Sequence, residues 1–379
     1  MSKKLAFIVW SRGISGAAYR FARLISYMQS NGLDERYKID FYLNRSLIEV
    51  AKDKNIKLHI NDNVYILEDL SKEGCLRKLF LIFSAIRFFR IVKKYDSFHF
   101  ACGGLLCLFP IKLAKLLCLA KPNLVVSSVS SNLWSESYMK FRSLIYIYPA
   151  LLLANHIDCL NYTTTLRKHF PKKSISTAPN SFSDNDRYYY KGNYSDKENA
   201  VSYVGAFEDI KQPLLFLEAV KLIYKVNSSI KYYMIGSGTL LNTIVEIIDT
   251  FPANLKLKIH VGYSDNPIEF LNKTKVFLSL QKIDNYPSQA LLEAMLAQNY
   301  VVATNYGDTH RLVNDDFACL LKSNAAHEIA ETVLAFFSQS LSCQTLITAK
   351  AKEFIYANCT IEGFVKYFLS IHQLGDDVC

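Results

Sequence analysis

Short apolar runs alternate with longer amphipathic segments along this chain, and the alternation occurs in two separate series. In the first series the predicted strands are residues 5–10, 39–43, 64–67, 98–100 and 124–128, and the predicted helices are 17–30, 76–94 and 106–119. In the second series the strands are 201–204, 231–235, 257–261, 276–280 and 301–304, and the helices are 214–226, 240–250, 268–272 and 288–297. Strands that alternate with helices indicate βαβ units and parallel sheets. The sequence therefore predicts an α/β protein with two Rossmann-like, doubly wound domains.

A hydrophilic stretch separates the two series. Residues 181–199 are rich in Asn, Asp, Ser and Tyr, as is typical of a domain boundary. A chain of 379 residues is also long enough for two domains. We expect an amino-terminal domain over 1–180, a linker over 181–199, a second domain over 200–350, and carboxyl-terminal helices over 351–379.

The charge differs between the two halves of the chain. Residues 1–190 contain 28 basic and 14 acidic side chains, a net charge of +14. Residues 191–379 contain 16 basic and 20 acidic side chains, a net charge of −4. This asymmetry argues against a uniform nucleic-acid-binding surface and indicates that the halves meet different partners.

The cysteines and the apolar runs indicate a cytoplasmic protein. The nine cysteines include no CxxC pair, so a zinc ribbon is disfavoured and reduced thiols are expected. The apolar run at the amino terminus ends at Trp10 and is interpreted as a first buried strand rather than a signal peptide. No run reaches the ~18–20 apolar residues that a membrane span requires.

Candidate ligand-binding residues stand where predicted strands run into helices, because ligands of open α/β sheets bind at the carboxyl ends of the strands. The turn at 10–20 contains Gly13 and Gly16, and the turn at 234–238 contains Gly236. Gly205 ends another strand, and Lys211 follows it at the start of a helix, where a lysine can neutralise a diphosphate. Each of these features by itself has a structural alternative. The glycines could form tight turns that bind no ligand, and Lys211 could be a solvated lysine.

The segment 285–295 is the most informative of these junctions. Pro287 suits the first turn of a helix, and Ser288 and Gln289 would offer backbone N–H groups at its positive end. Glu293 lies within the first two turns, where a carboxylate can accept two hydrogen bonds from a ribose diol. An ordinary amphipathic helix is the alternative interpretation.

Together these features resemble the retaining, nucleotide-sugar-dependent glycosyltransferases of the GT-B fold, a family-four-like pattern also named glycosyl transferases group 1. The resemblance includes the segments 178–181 and 302–307 and covers nearly the whole chain. It implies two Rossmann-like domains facing a central cleft, with the last helices packed back on the first domain.

The resemblance also implies residue roles. Lys211 would contact the donor diphosphate, Glu293 would hold the ribose hydroxyls, and Gly16 would shape the amino-terminal wall of the donor site. The implied catalytic residues are Lys211, Glu293 and Asn285. The implied donor-binding residues are Gly16, Gly205, Lys211, Gly236, Asn285, Pro287, Ser288, Gln289, Leu292 and Glu293. On the acceptor side the candidates are Gly13, His99 and Ser130.

Three positions depart from the family pattern. Asn285 replaces the first glutamate of the Glu-x7-Glu motif, and Ala206 replaces an arginine that would contact the diphosphate. The family histidine of an amino-terminal strand is replaced within 127–130, and His99, at the end of another predicted strand, is the nearest spare imidazole. His99 is interpreted as either structural or in contact with the acceptor.

The expected reaction is hexosyl transfer, with retention, from a UDP- or GDP-linked sugar to a lipid-linked or polysaccharide acceptor in bacterial capsule, O-antigen or other envelope synthesis. We expect no cofactor and no obligatory metal. The alternative is a catalytically weakened homologue that binds sugar or a partner in an assembly complex, which the departures at Ala206 and Asn285 favour. A dehydrogenase is disfavoured because the first turn lacks G-x-G-x-x-G.

The segment 76–94 contains six basic residues and no acidic one. A helix of this kind can lie in an anionic membrane interface, and the alternative is a buried domain helix with a basic edge. The membrane interpretation predicts peripheral association with the inner face of the cell membrane.

Overall fold

The computed structural model describes residues 3–10, 16–53, 55–67, 91–102, 108–117, 121–128, 148–161, 163–179 and 181–374. The chain forms two compact units. The first unit comprises Met1–Pro179 and Ile361–Cys379, and the second comprises Asn180–Thr360. The carboxyl-terminal helices are therefore divided between the units at residue 361, rather than forming one segment from residue 351.

The first unit contains a seven-stranded parallel sheet in the order β3-β2-β1-β4-β5-β6-β7. Its strands are β1 (Leu5–Trp10), β2 (Ile39–Asn44), β3 (Val64–Leu67), β4 (Ser97–Cys102), β5 (Asn123–Ser128), β6 (His156–Cys159) and β7 (Ser174–Thr177). Its described helices are α1 (Gly16–Ser30), α2 (Leu33–Arg36), α3 (Arg45–Asp53), α4 (Leu108–Leu117), α5 (Tyr148–Leu153) and α6 (Thr163–His169), and a 3-10 turn spans Val92–Lys94.

Strand β1 is buried on both sides, so helices cover both faces of this sheet. On one face, Ile8 and Trp10 share a core cluster with α4, α5 and α6. On the other face, the ring of Phe7 contacts Phe21 of α1 and Phe368 of the last helix, at centroid distances of 5.8 and 4.8 Å. The last helix is thus part of the first unit.

The second unit contains a six-stranded parallel sheet in the order β10-β9-β8-β11-β12-β13. Its strands are β8 (Glu198–Val204), β9 (Lys231–Ile235), β10 (Ile259–Gly262), β11 (Thr274–Ser279), β12 (Tyr300–Thr304) and β13 (Cys319–Leu321). The remaining helices are α7 (Asn185–Tyr188), α8 (Pro213–Val226), α9 (Leu241–Asp249), α10 (Ala253–Lys256), α11 (Ile268–Lys273), α12 (Gln289–Leu296), α13 (Ala326–Ser338) and α14 (Leu341–Asn358), with α15 (Ile361–Ile371) in the first unit.

The segment 181–199, expected to be a linker, is packed into the second unit. Tyr188 and Tyr194 are buried in it. Lys197 is also buried, and its Nζ donates to the carbonyl oxygens of Leu271 and Thr274, at 2.8 Å each. Apolar ring surface and a lysine amine that donates to two carbonyl oxygens make this polar-looking sequence part of the domain.

The predicted fold class is confirmed, with two parallel sheets and flanking helices. The predicted helix over 76–94 lies mostly outside the described residues, which resume at 91 with the 3-10 turn. Among the helices that are described, none is long and apolar enough to cross a membrane.

Candidate functional site

The carboxyl edge of the second sheet brings four strand-to-helix loops together. The loop after β11 joins the loop after β8, because Lys282 N–H donates to the carbonyl oxygen of Ile210 at 3.0 Å. It also joins β12, because Gln281 N–H donates to the Thr304 hydroxyl at 2.8 Å. The loop after β9 joins β8 in turn, because Gly205 N–H donates to the Ile235 carbonyl oxygen at 3.0 Å. The predicted donor junctions of this unit are therefore neighbours.

Gly236 and Gly238 permit the closest of these loop contacts. A Cβ atom added to Gly236 would lie 1.9 Å from the carbonyl oxygen of Gly205, and one added to Gly238 would lie 2.6 Å from that of Phe207. Phe207 N–H also donates to the Ser237 carbonyl oxygen at 2.8 Å. The requirement for glycine at 236 thus comes from loop packing as well as from any ligand.

Lys211 ends a 3-10 turn, Asp209–Lys211, on the loop after β8. The Tyr203 hydroxyl holds this loop by donating to the carbonyl oxygens of Ala206 and Lys211, at 2.9 and 3.2 Å. The lysine is half-buried, and burial lowers the pKa of Lys211 to about 8. Within the part of the chain that the structure describes, no carboxylate pairs with its ammonium. A desolvated cation that no described carboxylate neutralises is suited to an anionic ligand.

The loop between β11 and α12 is ordered by Asp284, which the sequence analysis did not single out. Its Oδ1 accepts the N–H of Tyr286 at 2.8 Å, the bond of an Asx turn. A Cβ atom added to Gly307, whose φ is +56°, would lie 2.0 Å from the Asp284 carboxyl carbon. The Arg311 guanidinium stacks over the Tyr286 ring at 4.5 Å. The Asp-x-Tyr spacing was the available signal for this turn.

Helix α12 begins at Gln289, with Ser288 as its N-cap residue. The expectation that Pro287 occupies the first helical turn is wrong: Pro287 precedes the cap, and the Tyr286–Pro287 peptide bond is cis. The first turn of α12 contains no acidic residue, so its free N–H groups are available to an anion. The Gln289 side chain donates to the Ser183 hydroxyl at 2.8 Å and so holds the segment that precedes α7.

The structure brings only some of the other donor-site candidates together. A small pocket at this edge is lined by Ser279, Gln281, Asn285, Tyr286, Ser288, Leu291, Thr304, Thr309 and Leu312. Asn285 and Ser288 share this pocket, whereas Lys211 and Glu293 lie outside it. Glu293 is 8% exposed on α12, one turn beyond the cap. Leu292 is fully buried in the core, so its side chain contributes to packing rather than to ligand contact.

The candidate residues of the first unit differ in their position and burial. Gly13 and Ser130 lie outside the described residues. Gly16 is exposed at the start of α1, and a Cβ atom there would meet nothing within 4 Å, so packing does not require a glycine. His99 lies inside β4, which extends to Cys102, and is fully buried. The interpretation of His99 as an acceptor contact at a strand end is therefore wrong.

His99 belongs to a buried hydrogen-bond network. Its Nε2 lies 2.7 Å from the Ser127 hydroxyl, which donates to Asp158 at 2.6 Å. Its Nδ1 lies 2.9 Å from Nε2 of His372, and the Tyr367 hydroxyl donates to Asp158 at 2.5 Å. Because Ser127 donates to Asp158, its oxygen accepts from His99 Nε2–H, and a neutral His99 accepts from His372. Burial lowers the pKa of His99 and that of His372, which keeps both rings neutral.

A metal site is not apparent in the described parts of the chain, where no group of three or more His, Cys, Asp or Glu side chains could hold an ion. Asp184 and Asp186 form an Asp-x-Asp triplet, but they flank the start of α7.

The comparisons with known proteins agree with this arrangement. The family description "Glycosyl transferases group 1" matches residues 185–353. This matched range, which is less than half of the chain, is therefore similar to the group 1 glycosyltransferases. The matched range contains the loops after β8, β9, β11 and β12, so the junctions that carry Lys211 and Glu293 lie within it.

Solved structures show the fold of this chain over nearly its whole length. HepE from Anabaena, crystallised with UDP, is 12% identical with a TM-score of 0.73, over 98% of this chain and 99% of that one. The lipopolysaccharide outer core galactosyltransferase WaaB is 12% identical with a TM-score of 0.66, over 97% and 99% of the two chains. The predicted GT-B fold is thus confirmed.

A curated relative is similar to part of this chain. The poly(ribitol-phosphate) alpha-N-acetylglucosaminyltransferase of Staphylococcus aureus (strain COL) is 21% identical over 177 residues. The alignment covers 46% of this chain and 35% of that protein, so the chain spans about a third of the relative's length.

Proposed function

We propose that this chain is a glycosyltransferase that transfers a hexose from a UDP- or GDP-linked donor to a lipid-linked or polysaccharide acceptor of the bacterial envelope, with retention of configuration. The observation that carries the proposal is the position of Lys211. Its half-buried ammonium lies on the loop after β8, which is hydrogen-bonded to the loop that leads into α12. A lysine and the free N–H groups of a helix amino terminus are suited to a diphosphate.

The residues of the second unit would divide the work on the donor. Lys211 would neutralise the leaving diphosphate, and the amides at Ser288 and Gln289 would bind its oxygens or the sugar. Glu293 would accept hydrogen bonds from the ribose diol, and Asn285, in the pocket beside Ser288, would hydrogen-bond sugar hydroxyls. Electrostatic stabilisation of the leaving group is then the main catalytic contribution of the protein.

The kinds of substrate and acceptor are supported by what the similar proteins are named for. HepE was crystallised with UDP, WaaB is named for lipopolysaccharide, and the curated relative is named for poly(ribitol phosphate). Each of the last two names specifies an envelope polymer. A lipid-linked acceptor would place this chain at the inner face of the cell membrane as a peripheral protein, without a cofactor or an obligatory metal.

The test is a binding screen followed by transfer. Thermal shifts and saturation-transfer spectra would be recorded with UDP-, GDP- and ADP-sugars, and with the free nucleosides as the control that lacks the diphosphate. We expect one diphosphate series to bind and its nucleoside to bind far more weakly. A protein that binds none of the nucleotide sugars contradicts the proposal.

A second candidate function is favoured by Ala206 and Asn285, which lack the charges of the family pattern. In that case the chain would bind a sugar or a partner without turnover. Donor binding without hydrolysis or transfer to any envelope acceptor would support this second function.

A further inference from the structure

The outward side of helix α4 in the first unit is apolar. The inward side of α4 is fully buried in the core through Leu108, Ile111 and Ala114. The outward side exposes Phe109, Leu113, Leu116 and Leu117, which are 40%, 52%, 66% and 66% accessible. The helical repeat places these four side chains on one arc about 100° wide. Leu152 of the neighbouring helix α5 is 49% exposed and belongs to the same set, which we call the α4 patch.

This pattern departs from what a soluble α/β domain needs. A helix that covers one face of a sheet usually carries polar residues on its outward side. Here, core burial explains the inward residues of α4 and leaves the outward ones without a structural purpose. Contiguous exposed apolar surface of this kind marks an interaction site.

The surroundings of the α4 patch are basic. Helices α4, α5 and α6 contain no aspartate or glutamate, and their basic residues are Lys112, Lys115, Arg167 and Lys168. Lys115 Nζ donates to the carbonyl oxygen of Pro122 and to Asn155 Oδ1 at 3.0 Å each, so this ammonium is held at the end of α4. Burial lowers the pKa of Lys115 and that of Lys173, and repulsion by Lys112 lowers both further. Lys173 Nζ donates to the carbonyl oxygen of Ala154 at 2.6 Å, which holds it at the end of α5, beside Leu152. The patch is therefore an apolar strip with a cationic rim.

We propose that the α4 patch docks the chain on an anionic lipid bilayer, with its leucines in the interface and its lysines among the headgroup phosphates. Apolar burial and cation attraction are the two contributions that hold a protein in such an interface. The inference deepens the proposed function and rests on it in one respect, since an acceptor linked to a lipid is presented at this surface. It assigns a contact to α4 and α5, and the predicted contact of the segment 76–94, which lies mostly outside the described residues, stays a prediction.

A second copy of the chain fits the same patch poorly. A symmetric dimer would place the patch of one copy on the patch of the other. Lys112 of the two copies would then add like charge to the interface, without an acidic residue on α4, α5 or α6 to neutralise it. Like charges placed together across an interface oppose association. The charge therefore selects an anionic partner.

The experiment is flotation of the full-length chain with vesicles of phosphatidylcholine alone and of phosphatidylcholine mixed equally with phosphatidylglycerol. We expect binding to the mixed vesicles, weaker binding at high salt, and little binding to phosphatidylcholine. The double substitution Leu113→Glu with Leu116→Glu should lower the affinity at least about tenfold, because two apolar side chains leave the interface. Leu257→Glu is the matched control, since Leu257 is 85% exposed in the second unit.

Three outcomes would overturn the inference: wild-type chain that does not float with the mixed vesicles, a double variant that floats as well as the wild type, or a Leu257→Glu variant that loses as much affinity. Sedimentation of the same proteins without vesicles tests the dimer, and a dimer that the double substitution dissociates, with no wild-type flotation, identifies a protein interface instead. Unchanged melting temperatures show that the variants fold. Binding of UDP-sugars without vesicles is measured in parallel, so that failure of the proposed function is distinguished from failure of the membrane contact.

Discussion

The carbonyl oxygen of Gly205 occupies the position that a side chain on Gly236 would need. A Cβ atom on Gly236 would approach that oxygen to 1.9 Å, far inside van der Waals contact. The loops after β8 and β9 thus pack backbone against backbone, and Lys211 follows six residues after Gly205 on the first of them. The position of Lys211, the proposed diphosphate cation, therefore depends on residue 236 of the neighbouring loop having no Cβ atom.

The substitution Gly236→Ala tests this dependence. We expect it to destabilise the second unit by about 1–3 kcal/mol, because backbone rather than a flexible side chain must move. It should also weaken nucleotide-sugar binding, since the Lys211 loop shifts. Thermal melting and isothermal titration would measure the two effects. Gly16→Ala is the control, because open space surrounds that position, and an equal loss in both variants would contradict the explanation.

The protonation of Lys211 predicts how donor binding varies with pH. Burial lowers the pKa of Lys211 to about 8, so the free protein carries the ammonium below pH 8 and loses it above. Affinity for a nucleoside diphosphate should therefore fall by up to about tenfold per pH unit above 8. Lys211→Arg should remove this decline because a guanidinium stays charged. Lys211→Ala should lower the rate of transfer by roughly 10²–10³.

Titration of UDP from pH 6.5 to 9.5 would measure the decline. Lys225→Ala is the matched control, because Lys225 is exposed on α8, whose amino terminus follows Lys211. An affinity that is constant across this range in the wild type, or near-normal turnover by Lys211→Ala, would show that the diphosphate is held elsewhere.

The paired histidines of the first unit predict loss of stability in acid. Burial lowers the pKa of His372 to about 3 and that of His99 in the same direction, whereas the unfolded chain protonates both near pH 6.5. The unfolded state then binds more protons below pH 6.5, so each ring removes up to about 1.4 kcal/mol of stability per pH unit. Asp158 has the opposite sign, because burial raises its pKa, but it is one group against two.

Denaturant unfolding at pH 7 and pH 5, followed by hydrogen exchange in β4, would measure this acid sensitivity. We expect His372→Gln to reduce the pH dependence, whereas His310→Gln, at an exposed position of the second unit, should leave it unchanged. Equal stability of the first unit at the two pH values would contradict the neutral-ring network.

Chelation should leave the reaction unaffected. Lys211 and the helix amides are expected to neutralise the diphosphate, and no group of metal-ligating side chains is found in the described ranges. Transfer measured in excess EDTA should match transfer in its absence. A loss of rate that Mg²⁺ or Mn²⁺ restores would show that an ion is needed, and the Asp184-Asn185-Asp186 triplet would then be the first place to substitute.

The sequence predicts the fold well because strand and helix periods are local properties. The predicted strands 64–67 and 231–235 have the bounds of β3 and β9. The short strands β6 and β7 were missed, since His156, Ser174 and Ser176 place polar residues in them. These side chains are paired with one another: His156 bonds to both serines, at 2.8 and 2.6 Å. No local sequence pattern predicts such side-chain pairing.

The candidate site was predictable where it rests on turn chemistry, and less so where it rests on distant partners. Lys211 and the loop before α12 were found from glycine, proline and lysine at strand ends. Of the two interpretations of His99 the structural one is correct, but the sequence could not decide between them because its partner His372 is 273 residues away along the chain. The glycine at 236 was expected to serve a ligand, and only the three-dimensional contact with Gly205 shows its packing role.

Helix α15 has a consequence for the order in which the chain can fold during synthesis. Phe368 of α15 and His372, which directly follows the helix, complete the side of β1 and β4 that presents Phe7 and His99. The ribosome makes all of the second unit between these strands and their cover. The second unit can therefore fold while the first waits with an aromatic and imidazole surface open to water, the condition in which nascent multidomain chains are prone to aggregate. A premature stop before residue 361 would leave that surface permanently uncovered.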